Sequence, residues 1–176
     1  MNILKKSLFT AVCIALCTVL PMAFHAIPNG GILFSPMHLP VLLCGVITSW
    51  PFGLFCGIVG PLLSFLFTGM PGAPMLPQMM VELGSYGFMA GLMIRIMRTK
   101  SLSANVLVSL VIAMLFGRIV AGCARAFLFA RGSYSLPMWI SSYFISCFPA
   151  IILQLVLIPL ICKALDKAGL LSEKTA

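Results

Sequence analysis

Long apolar runs separated by short Gly/Pro-rich or basic stretches set the pattern of this chain. A helix needs about 20 apolar residues to cross a bilayer. The runs at 3–24, 77–98, 103–128 and 137–164 each meet that length. The apolar region 37–69 is too long for one span and is interrupted by "SWPFG" at 49–53. Trp50-Pro51 with Gly53 reads as a turn carrying an interfacial aromatic. Two short helices, 37–49 and 53–68, are therefore expected, tilted or partly re-entrant. The pattern predicts an all-α membrane protein, a single domain over 1–176 with six transmembrane helices.

Composition agrees. Hydrophobic residues make up 61% of the 176 positions and charged residues only 8%. A soluble domain carries roughly 25% charged residues, so this chain is too poor in charge to cover a water-facing surface. The net charge of +8 does not point to nucleic acid, because the basic residues flank spans. Lys5 and Lys6 precede the first helix, Arg95, Arg98 and Lys100 lie between the fourth and fifth, and Lys163, Lys167 and Lys174 end or follow the sixth. With six spans these eight fall on one side. The loops 25–36, 69–76 and 129–136 carry only Arg131. The positive-inside rule then predicts that both termini are cytoplasmic.

The first 26 residues resemble a secretory signal, with a Lys pair before an apolar run. "AFHA" spaces its alanines poorly for cleavage, and the run is long enough to span, so a retained first helix is expected. The seven cysteines all lie in apolar runs without a C-x-x-C pair, which argues for small buried side chains and against zinc or redox chemistry. No metal site or cofactor is expected.

Polar positions inside the spans carry more information. Glu82 is the one acid in a span, and Arg118 and Arg125 are the two cations inside the fifth helix. Intramembrane charges are costly and are functional candidates by default. Glu82 lies about five residues below the outer end of its helix, roughly 7–8 Å. Arg125 falls at a similar level, and Arg118 roughly 10 Å deeper on the same face. Glu82 and Arg125 are thus placed to pair, with Arg118 reaching toward the same cavity. His38 opens the second helix at the outer side, between Pro36 and Pro40, and Tyr86 lies one turn below Glu82. A pocket with surplus positive charge suits an anionic small molecule. The competing reading makes these charges structural ion pairs in a non-transport assembly or structural subunit. Met70, Met75, Met79 and Met80 suit a pliable ligand face or simple packing.

The outer loops "HAIPNGGILFSP", "GMPGAPML" and "RGSYSLP" are rich in Gly and Pro, and they serve as a lid or as mere connectors. Small residues four apart (Ala11 and Ala15, Gly53 and Gly57, Gly87 and Gly91, Ala113 and Gly117) mark close helix contacts, within the bundle or with a partner. No paired carboxylates, nucleophile triad, P-loop or G-x-G-x-x-G appears, so the chain is not expected to be an enzyme.

Three segments carry a family resemblance. "PMHLPVLL" starts the second helix, "GLFCGIVGPLLSFLFTGMP" runs through the third, and "ELGSYGFMAGL" lies in the fourth. The sequence resembles the substrate-binding S components of energy-coupling factor (ECF) vitamin transporters, most clearly over 35–95. The resemblance implies a six-helix subunit that binds a vitamin-like micronutrient from outside. It implies docking on a transmembrane coupling protein and two ATPase subunits, where ATP hydrolysis occurs, and delivery by toppling in the bilayer. It assigns Ala11 and Ala15 to the docking face and the loops 25–36 and 69–76 to the lid. The site residues are then His38, Glu82, Tyr86, Arg118 and Arg125. Their charge favours a carboxylate-bearing ligand, pantothenate- or folate-like, over cationic thiamine.

Overall fold

The computed structural model describes residues 1–24, 30–97, 101–129 and 134–169. Its helices are α1 (Ile3–Phe24), α2 (Gly30–Phe34), α3 (His38–Thr48), α4 (Trp50–Thr68), α5 (Leu76–Ile96), α6 (Leu102–Ala124), α7 (Leu136–Ile140) and α8 (Phe148–Lys167). The chain is an all-helical membrane bundle, with no strand among the described residues. Five helices are long and apolar enough to cross a bilayer: α1, α4, α5, α6 with its continuation to Phe129, and α8. The predicted second span, 37–49, is not of this kind: it is α3, with only 11 residues.

Two expected boundaries change. The run at 137–164 is not one helix, because α7 and its extension end before Cys147 and α8 starts at Phe148. Pro149 in the first turn of α8 accounts for the break, since the residue before a proline is disfavoured in a continuing helix. The turn at 49–53 is shorter than expected. Ser49 alone makes it, at φ 151°, and α4 resumes at Trp50 with Pro51 in its first turn.

α5 is the hub, packed against α3, α4 and α6. Backbones come together there because the contact carries no side chains. A Cβ on Gly53 would meet the carbonyl oxygen of Gly87, and one on Gly87 would meet that of Gly53. Lipid offers no hydrophobic drive between helices, so this close van der Waals packing holds them together. α1 lies against α3 and α4 through Thr10, Cys13 and Cys17, all buried. Ala11 and Ala15 are on its exposed side, with Leu8, Val12 and Val19. They are therefore not intrabundle contacts.

Two π turns punctuate the end of the bundle at which α5 and α8 begin. One extends α6 through Arg125–Phe129, and the other extends α7 through Ser141–Ile145. The apolar pattern carries no mark of either.

Candidate functional site

The starts of α3, α5 and α8, the end of α6 and the π turn at Ser141–Ile145 enclose a cavity of about 560 Å³. That volume falls within the usual range for small-molecule sites. His38, Glu82, Tyr86, Arg118 and Arg125 all line it. Five residues spread over 88 positions of sequence are thus brought together, as their depths along the helices required.

Their pairing differs from expectation. Glu82 does not bridge Arg125. Its Oε1 lies 3.2 Å from Nε2 of His38, with both side chains nearly buried. Depth along a helix sets the level of a side chain but not its direction, and His38 at the start of α3 faces Glu82 across the α3–α5 contact. The His38 ring also meets the Tyr86 ring edge-on, with centroids 5.1 Å apart. Tyr86 is itself fixed by Gly117 of α6, where a Cβ would lie 2.7 Å from the Tyr86 ring. His38, Glu82 and Tyr86 form one continuous polar wall.

The arginines sit on aromatic faces. Arg125 lies over Tyr134, 5.1 Å from the ring centroid, and Arg118 lies over Phe144 at the same distance. Just outside α7, burial pushes the Tyr134 phenol above its ordinary pKa, and nearby Arg125 opposes the shift. Arg118 is 6% exposed, and its Nε has no hydrogen-bond partner among the described residues. Neither arginine has a carboxylate within 4.0 Å among those residues. A buried guanidinium without an acid is costly to keep, and it is a preformed place for an anion.

The rest of the lining combines apolar bulk with a few polar groups. Met70, Met75 and Met79 face the cavity, whereas Met80 lies in a separate apolar groove against α4. Ser35, Pro36, Met70 and Pro71 bring parts of both expected lid loops to the cavity, while 25–29 lie outside the described residues. Sequence reasoning missed Gln78, Tyr143 and Gln154. Gln78 Nε2 donates to Tyr143 Oη at 2.9 Å, and Gln154 is 3% exposed beside the cavity. A glutamine inside an apolar span was the available signal for Gln154. No cluster of three metal-ligating side chains occurs among the described residues.

The family model described as "ECF transporter, substrate-specific component" matches residues 5–172. No curated protein and no solved structure matches the chain. The chain belongs to the substrate-specific components of ECF transporters, which are membrane transport subunits and not enzymes. Such components take a small-molecule substrate and work in general with an ECF transmembrane protein and ATPases.

Proposed function

We propose that this chain is the high-affinity binding subunit for a carboxylate-bearing vitamin or related micronutrient, pantothenate- or folate-like. One observation carries the reading. Arg118 is buried against the cavity with no acidic partner among the described residues, while the nearby carboxylate of Glu82 is engaged by His38. An anionic ligand supplies the missing counter-charge. In this role Arg118 and Arg125 hold the carboxylate, the His38–Glu82–Tyr86 wall orients the polar body, and the methionines pack its apolar part.

The distribution of Lys and Arg supports cytoplasmic termini, so that the cavity opens outward. The exposed Ala11 and Ala15 offer a smooth helix face for the coupling protein, whose two ATPases supply the energy. The competing structural-subunit reading needs acids paired with arginines, and the described residues supply none.

Native mass spectrometry and organic extraction of detergent-purified protein test the proposal. A stoichiometric carboxylate-bearing molecule is expected. Protein that carries no small molecule and gives no titration heat with pantothenate or folate would falsify the assignment.

A further inference from the structure

We infer that Trp139 and Phe144, two residues outside the proposed binding set, form an aromatic clamp that positions the Arg118 guanidinium for an anionic ligand. The inference rests on the anion-site reading above.

The clamp grips Arg118 at both ends. Trp139 Nε1 donates to the Arg118 carbonyl oxygen at 3.0 Å. The Trp139 indole reaches that carbonyl because Gly122, one turn further along α6, leaves room; a Cβ there would collide with Nε1. Trp139 meets Phe144 edge-to-face, with centroids 5.2 Å apart and an interplanar angle of 76°. Phe144 in turn lies beneath the guanidinium at 5.1 Å. A long, flexible side chain is thereby fixed at its backbone and its head, which leaves less entropy to lose when a ligand binds.

The π turn explains how the two rings come together. In an α-helix, residues five apart point about 140° away from each other. The π turn at Ser141–Ile145 has i→i+5 closure, which brings residue 144 round toward residue 139. Its position is secured from the far side of the cavity by the Gln78–Tyr143 hydrogen bond. The irregular backbone thus has a use at the site: it builds the clamp.

Isothermal titration on the purified full chain tests this. The probes are pantothenate and folate, each against its uncharged counterpart, panthenol and the folate diester. Phe144→Leu is expected to weaken binding of the recognised carboxylate about tenfold and to leave the uncharged counterpart unchanged. Phe144→Tyr keeps the aromatic face and is expected to bind as the unmodified chain does. Should Phe144→Leu fail to fold, Trp139→Phe, which keeps a ring but loses the N–H donor, is expected to give a smaller loss of the same selectivity. The clamp is overturned by a Phe144→Leu chain that binds the acid normally, by equal losses for acid and uncharged counterpart, or by failure of the tyrosine to restore binding. It is likewise overturned if Trp139→Phe, standing in for an unfolded Phe144→Leu, leaves selectivity intact. If the unmodified chain binds neither acid, the anion-site reading falls and the clamp with it. If it binds one and Arg118→Gln has no effect, Arg118 is not the anion site, and the anion-site reading and the clamp both fall.

Discussion

His38 Nε2 lies 3.2 Å from Glu82 Oε1, so the carboxylate at the cavity is held by a histidine and not by either arginine. The electrostatics of the site follow from that contact. The negative charge is engaged on the α3–α5 wall, and among the described residues the two guanidinium groups have aromatic faces as partners.

Replacement of Arg118 is expected to separate binding from stability. Arg118→Gln should weaken ligand affinity on the order of 100-fold, the loss of a charged hydrogen-bonded pair. The melting temperature of the unliganded protein should stay level or rise, because a buried unpaired charge is removed. Arg131→Ala, in the stretch of sequence between α6 and α7, should leave affinity unchanged. Equal effects of the two substitutions in titration calorimetry would count against the depth argument.

His38→Ala should strand the Glu82 carboxylate. The expected cost is about 1–3 kcal/mol of stability. Adding Glu82→Gln to the same chain should recover part of it, since the two residues act as a pair. Thermal melting in detergent of both single variants and the double variant measures the coupling. Purely additive losses would show that the contact is incidental.

At the α4–α5 crossing, Gly87→Ala should disrupt the bundle, because the new methyl meets the Gly53 backbone. Gly84→Ala is a matched control. Its methyl would meet only the side chains of Ile58 and Leu54, at 3.3 and 3.4 Å, and these can shift. Size-exclusion profiles and melting should show loss of folded Gly87→Ala protein and near-normal Gly84→Ala protein.

The exposed face of α1 allows a test of docking without damage to the bundle. Ala11→Trp combined with Ala15→Trp should leave ligand binding intact and abolish co-purification with the coupling protein and ATPases. Cys17→Trp, on the buried face of the same helix, should instead prevent folding. A double variant that still assembles and transports would remove α1 from the interface.

Much of this arrangement was legible in the sequence, and the reason is geometric. A helix in a membrane has a known rise and direction, so counting residues from its ends gives depth. That arithmetic brought Glu82, Tyr86, Arg118 and Arg125 into the same half of the bundle as His38, at different depths. It gives no azimuth, and so it left open a Glu82–Arg125 pair and did not find the His38–Glu82 contact. Apolar runs also hide discontinuities. The break before Phe148 was signalled only by Pro149, and the π turns at Arg125 and Ser141 leave no trace in hydropathy. For that reason the contact of Phe144 with Arg118 could be seen only in three dimensions.

The brevity of α3 has a consequence for transport distance. α3 and α4 share the hinge at Ser49, yet α3 has 11 residues and α4 has 19. At 1.5 Å per residue, α3 is about 12 Å shorter than α4. The polar wall that starts at His38 therefore begins on a ledge, short of the far end of α4. On the outward-open reading proposed above, a substrate resting there would have only the remaining depth left to cross when the partner ATPases act.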